Sequence, residues 1–244
     1  MTNELPEVIC YCVPERQLET LNVYRYTRQA YIDVFFQTGK IRLNSLKVYQ
    51  AECKPAEEIN EEIYDKNEGK AMIAQGKNNK NGFIYTDFSQ GVLNLSTSFK
   101  RSKDILENFQ QAEGGEHKYG VFEITNPVGF SNIVGQKIHE KLPLQHIMIG
   151  KCDYVDQSKK VVDYEKLKTS ISRFRNGLRD ESIQAHTFST IDVEQIIDVF
   201  FLKNKQHEHQ TEFRFLWKGE ALVGKTYLDV EVPEALQYCR QIDF

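Results

Sequence analysis

Three short stretches of this 244-residue chain carry side chains suited to chemistry: Arg25 within Tyr24-Arg25-Tyr26-Thr27, Ser96-Thr97-Ser98, and Gln210-Thr211-Glu212. A planar guanidinium such as that of Arg25 suits phosphate or ribose oxygens, which it meets through paired hydrogen bonds. Gln210 and Glu212 lie two apart where a strand is expected to begin, so a strand places both on one face and before the same ligand. Glu212 and Arg214 share that face by the same rule and can equally pair with neighbours at modest gain. Plainer readings stand beside the others too. A lone arginine on an aromatic-rich strand is commonly ion-paired, and Ser-Thr-Ser commonly a solvent-facing alternation.

These residues need a scaffold, and the pattern supplies one. Strands are expected at Val8 to Val13, ended by Pro14, and at Val23 to Thr27. Ala30, Val34 and Phe35, with Tyr31 beside them, give helical spacing that Gly39 stops, and Ile41-Arg42-Leu43 alternates as a short strand. Strands resume at Phe83 to Phe88 and Val92 to Phe99. Ser102 then precedes a helix with Ile105, Leu106 and Phe109 on one face. Tyr119 to Ile124 reads as a strand, and Phe130 to Ile138 as a short helix after Pro127. Gln145 to Tyr154 reads as a buried strand, and residues 158–182 as a long charged helix. Ile196 to Leu202, Thr211 to Trp217 and Tyr227 to Val232 read as strands, and Pro233 can open a closing helix. Strands outnumber helices without regular alternation, so the class expected is α+β in one domain over residues 1–244. Residues 50–82, with an acidic run and a Gly/Asn/Lys-rich loop, read as a surface insertion or lid, or as a solvated linker.

Composition narrows the function. A net charge of −4 argues against a broad nucleic-acid surface, leaving Lys100-Arg101-Ser102-Lys103 and Arg173, Arg175 and Arg179 as a local basic cleft. No stretch approaches the ~18 apolar residues of a membrane span, and the acidic start is unlike a secretory signal. Five scattered cysteines then read as reduced thiols of a cytoplasmic protein, with Cys10 and Cys12 on one buried strand face. Phosphate-loop, paired CxxC and HExxH motifs are absent. His207 and His209 flank Glu208 without an identifiable third ligand, so a polar loop is expected there and no metal site.

The order of the three stretches resembles arginine-serine-glutamate ADP-ribosyltransferases: an early strand arginine, a middle Ser-Thr-Ser and a late Gln-x-Glu. Tyr24-Arg25-Tyr26-Thr27 followed by Gly39-Lys40-Ile41-Arg42-Leu43 is also similar to the opening of DNA-targeting bacterial toxins of that class. Gln210-Thr211-Glu212-Phe213-Arg214 matches the late Glu/Gln-x-Glu-aromatic-Arg of a related uncharacterised bacterial family. Leu95 stands where these enzymes often carry an aromatic, and the gap from Ser98 to Gln210 is long.

The resemblance implies split β-sheets with peripheral helices, and NAD as substrate. It implies that Arg25, Tyr26, Thr27, Ser96, Thr97 and Ser98 hold NAD, with Ser96 bonded to Glu212. Glu212, Gln210 and Arg25 are the implied catalytic residues: Glu212 stabilises the oxocarbenium-like cation, and Gln210 orients the acceptor. The acceptor would be a nucleic acid or protein met by the loop Lys203–His209, and a defence or toxin role implies an antitoxin or regulatory partner. A non-catalytic binding module on the same fold, an NAD-hydrolysing enzyme and, more distantly, a metal-dependent nuclease are the alternatives.

Overall fold

The computed structural model describes residues 4–18, 20–50, 69–74, 83–112, 115–156, 161–162 and 197–244. β1 (Val8–Tyr11) and a helical turn, α1 (Glu15–Leu18), lead into β2 (Val23–Arg28), whose aromatic and β-branched residues suit a pleated strand. α2 (Gln29–Thr38) buries Ile32 and Phe35 and stops at Gly39, whose φ of 73° is the left-handed conformation that favours glycine. A Cβ there would also collide with the backbone of Pro233. β3 (Lys40–Ser45) follows, burying Ile41, Leu43 and Ser45 in alternation.

Next come β4 (Lys70–Ala74), β5 (Phe83–Asp87), β6 (Val92–Ser98), α3 (Lys103–Ala112), β7 (Tyr119–Ile124), α4 (Pro127–His139), β8 (His146–Lys151), β9 (Asp153–Val155) and β10 (Val161–Val162). The chain continues through α5 (Ile197–Phe201), β11 (Leu202–Asn204), β12 (Glu212–Lys218), β13 (Tyr227–Glu231) and β14 (Cys239–Ile242). The architecture is α+β. Among the described residues, nine strands form one mixed sheet, ordered β1-β8-β12-β6-β2-β7-β14 with β3 beside β6 and β13 beside β3. β1 runs parallel to β8, while β12 is antiparallel to both its neighbours.

Both faces of the sheet are covered. Phe213, Phe215 and Trp217 of β12 pack in the largest core with Ile32 and Phe35 of α2 and Phe130, Val134 and Ile138 of α4. The alternate residue Leu216 joins Val199, Phe200 and Phe201 of α5 in a second core. Every residue of β12 is therefore buried, including Glu212 and Arg214. No described helix is long and apolar enough to cross a membrane.

Several elements depart from the sequence reading. Of the strand expected over Ile196 to Leu202, Ile197–Phe201 folds as α5 and Leu202 opens β11, while Ile196 lies outside the described residues; a short continuous apolar run satisfies a buried helix as well as a strand. The strand expected over Gln145 to Tyr154 breaks at Cys152, whose N–H donates to the Glu212 carbonyl, and β9 then pairs with β11. Pro233 opens a 3-10 helix, Pro233–Tyr238, and the chain adds β14 on the edge of β7. β1 ends at Tyr11, so Cys12 is exposed with φ 55° and does not share a buried face with Cys10. Of the helix expected over 158–182, only residues 161–162 are described, and they are β10 paired with β4; the rest, with Arg173, Arg175 and Arg179, lies outside the described residues. Of 50–82, Gln50 and residues 69–74 are described, and β4 within them pairs with β5.

Candidate active site

The site begins with a fork in the sheet. One edge of β6 pairs with β12 along its whole length, from Ser98↔Glu212 to Val92↔Lys218. The other edge meets β2 only at Ser98↔Tyr24, and β3 only at Asn94↔Asn44 and Leu93↔Ser45. Beyond those contacts β2 runs along β7, and β3 along β13. From Leu95 to Thr97 this edge of β6 has no strand partner among the described residues, and backbone groups left so must bond elsewhere. The Ser96 carbonyl accepts from Arg25 Nη1 at 2.5 Å. Arg25 thus spans the fork from β2.

A cavity of about 270 Å³ occupies the fork, and its walls include Arg25, Tyr26, Thr27, Ser96, Thr97, Ser98, Gln210 and Glu212, the residues that the resemblance assigns to NAD and to catalysis. A second cavity of about 280 Å³ shares Arg25, Thr27, Tyr31 and Asn44 with it and is also lined by Lys40, Arg42 and their partner Asp229. Side by side they offer space on the scale of small-molecule sites, roughly 300–1,000 Å³.

Glu212 is the electrostatic centre. It is 3% exposed, and both carboxylate oxygens are occupied. Oε1 accepts from Ser96 Oγ and from Arg214 Nε, each at 2.7 Å, and Oε2 accepts from Lys203 Nζ. Burial alone would push this carboxyl up. The Arg214 guanidinium and Lys203 ammonium outweigh it and hold the group well below the ordinary carboxylate range. Tyr154 supports the same strand end, its hydroxyl accepting from Glu212 N–H at 2.6 Å. Burial, and then the Glu212 charge, push the Tyr154 phenol up. Glu212 is therefore a carboxylate ionised at neutral pH in a buried wall.

Gln210 reaches this cluster by a different route from the one its spacing predicts. It closes a 3-10 helix, Lys205–Gln210, and Thr211 follows with φ 46°, so β12 begins only at Glu212. Strand alternation does not align Gln210 with Glu212. Lys203 does: its ammonium donates to Gln210 Oε1 at 2.9 Å as well as to Glu212.

The remaining predicted residues differ in what they leave for a ligand. The Tyr26 hydroxyl donates to Lys100 O at 2.9 Å and accepts from Ser102 N at 2.8 Å, which pins the connection into α3. Thr97 Oγ1 donates to Phe213 O at 2.8 Å, a bond between strands. Ser98 Oγ lies 2.7 Å from Thr211 Oγ1 and secures the left-handed residue before Glu212. Thr27 and Arg25 alone of these stand on the walls of both cavities.

Lys203, Asn94 and Arg214 were not assigned to the site by the sequence reading. Lys203 was expected in an exposed acceptor loop, yet it is 5% exposed, and His207 beside it is 1% exposed. Lys205, Gln206, Glu208 and His209 are the exposed part of that turn. The available signal for Arg214 was its two-residue spacing from Glu212; nothing local marks Lys203 or Asn94. The basic run 100–103 spends charge on its surroundings, since Arg101 Nη2 donates to Asp243 O at 2.7 Å and Lys103 pairs with Glu107 at 3.3 Å.

Compared with models of protein families, with curated proteins and with solved structures, the chain matches none.

Proposed function

We propose that this chain is an NAD-dependent ADP-ribosyltransferase-like enzyme that modifies a macromolecular acceptor, and that its forked sheet is the split sheet of such enzymes. One observation carries the reading: Arg25, Ser96 and Glu212, from three distant parts of the sequence, meet in one cavity, with Ser96 Oγ donating to Glu212 at 2.7 Å. The pyrophosphate of NAD lies toward Arg25, at the boundary of the two cavities. The C1′–nitrogen bond of the nicotinamide ribose breaks heterolytically, and both electrons go to the pyridinium nitrogen, so nicotinamide leaves neutral. Positive charge then appears on C1′ and the ring oxygen, where an ionised carboxylate stabilises it more than it stabilised the ground state. Oε2, held by Lys203 alone, is the oxygen that turns to this cation, with Gln210 retaining the lysine. The acceptor nucleophile bonds to C1′ and loses its proton to solvent water.

A role as a toxin or defence effector, acting in the cytoplasm and restrained by an antitoxin or regulatory partner, follows from the toxin-like motifs. A second reading, a binding module without catalysis, draws support from the protein donors that already engage both Glu212 oxygens.

NAD labelled in its adenylate half separates the two. The enzyme reading expects label on the protein itself, DNA, RNA or lysate proteins, or free ADP-ribose if water is the acceptor. Glu212→Gln should lower NAD cleavage by about 100-fold or more, the scale of losing one charge-stabilising group. If wild-type protein neither consumes NAD nor labels any of these, the binding module stands instead.

A further inference from the structure

One valence in the fork is left open. Asn94, on β6 two residues before Ser96, is 2% exposed and stands in the cavity wall. Its Nδ2 donates to Ser96 Oγ at 2.8 Å. Its Oδ1 is the one buried side-chain nitrogen or oxygen among the described residues without a hydrogen-bond partner. A buried carbonyl in that state is costly unless a ligand or water fills it.

The chemistry of the neighbours fixes which end of the amide is left unpaired. Glu212, gripped by Arg214 and Lys203, is ionised and only accepts. Ser96 has a single hydroxyl hydrogen and gives it to Glu212 Oε1. Only lone pairs of Ser96 remain for Asn94, so the NH2 end must meet them. Reversing the amide would set oxygen against oxygen. Asn94 Oδ1 therefore presents an acceptor, and Asn44, its cross-strand neighbour, gives its own Nδ2 to the Tyr49 hydroxyl at 3.2 Å. Donors of a ligand belong at Asn94, whereas its anionic oxygens belong at Arg25 on the other side of Ser96.

We propose that Asn94 Oδ1 is a substrate-binding acceptor for an O–H or N–H donor on the nicotinamide–ribose half of NAD. This rests on the NAD-using reading above. Two sources carry such a donor there: the ribose hydroxyls and the nicotinamide carboxamide.

The test is calorimetric binding of carbocyclic NAD, which lacks the ribose ring oxygen, cannot form the cation and is not consumed. Asn94→Ala and the better volume match Asn94→Leu are each expected to bind it roughly tenfold more weakly than wild type. Two further ligands locate the donor: the same compound with acetyl in place of carboxamide, and the compound lacking the hydroxyls of the nicotinamide-bearing ring. Against the one missing the true donor, wild type and Asn94→Leu should bind alike, a cancellation that a merely structural role of Asn94 would not produce. Either ligand giving that cancellation supports the proposal and names the source. If wild type binds carbocyclic NAD and both variants bind it equally well, Asn94 has no such role and the NAD reading survives. If wild type does not bind it at all, both fall. Whether or not the variants fold, equal binding of all three ligands by wild type overturns the proposal, because neither candidate donor then has a partner.

Discussion

Two carboxylates in this molecule are each held by an arginine and a lysine, in opposite surroundings. Asp229, on β13, takes Arg42 through two parallel bonds of 2.7 and 2.9 Å, with Lys40 at 3.6 Å. Arg42 also lies over the Tyr227 ring at 4.2 Å. Glu212 takes Arg214 through one bond and Lys203 through another. By geometry the Asp229 pair is the better one. Yet side-chain exposures of 51% and 27% for Arg42 and Asp229 leave water to replace whatever is lost, against 1% and 4% for Arg214 and Glu212. Burial, more than bond geometry, sets what each cluster costs to break. A sheet could be held at the fork as well by apolar side chains, since buried ion pairs repay their desolvation poorly. The charged trio at Glu212 therefore has its best explanation in chemistry, and the Asp229 trio needs none.

The largest expected effect is at Arg214. Arg214→Met removes one partner of a buried carboxylate and also the donor to Phe200 O at 2.7 Å. The loss of unfolding free energy should be about 3–5 kcal/mol, read from urea denaturation. A loss below about 1 kcal/mol would show that the buried trio is no more consequential than an exposed pair. This also bears on reading Glu212→Gln, which leaves Arg214 and Lys203 facing a neutral amide. Reduced stability and lost NAD cleavage are expected together in that variant, so stability alone does not separate catalysis from structure.

Much of this contrast was legible in the residues. The run Val23 to Thr27, the helical spacing ended at Gly39 and the alternation after it gave β2, α2 and β3 in place, because each rests on local propensity and period. The shared face of Glu212 and Arg214 followed from strand geometry and is observed as a 2.7 Å bond. Gln210 did not follow, because one left-handed residue, Thr211, cancels the alternation. Lys203 was hidden because it is carried to Glu212 by β11, which exists only through its pairing with β9. The fork was the least legible feature. It consists of missing strand partners along Leu95 to Thr97, and no residue type encodes a missing hydrogen bond.

Acid provides the intermediate test. Glu212 is held below its ordinary value near 4.5 in the folded protein, burial being outweighed by Arg214 and Lys203. The unfolded chain therefore binds its proton first. The stability Glu212 contributes is fully present above about pH 4.5 and is lost as pH falls from there toward its depressed folded value. Asp229 is lowered too, chiefly by its hydrogen bonds to Arg42, so its smaller and screened share is lost below its ordinary 3.8. Denaturation midpoints measured stepwise from pH 6 to pH 3 should fall steeply for wild type and for Asp229→Asn, and should flatten for Glu212→Gln. An unchanged slope in Glu212→Gln would place the acid-sensitive group elsewhere.

The smallest effect completes the contrast at Arg42. Arg42→Met should cost no more than about 1 kcal/mol, because two partly exposed chains recover hydration when the pair opens. Salt sharpens the difference. At about 1 M ionic strength the screening length shrinks to roughly 3 Å, so the small cost at Arg42 should fade. The cost at Arg214 should persist, since ions do not enter a wall where its guanidinium is 1% exposed. If both costs fade together, solvent reaches Glu212, and the buried carboxylate on which the catalytic reading depends is lost with it.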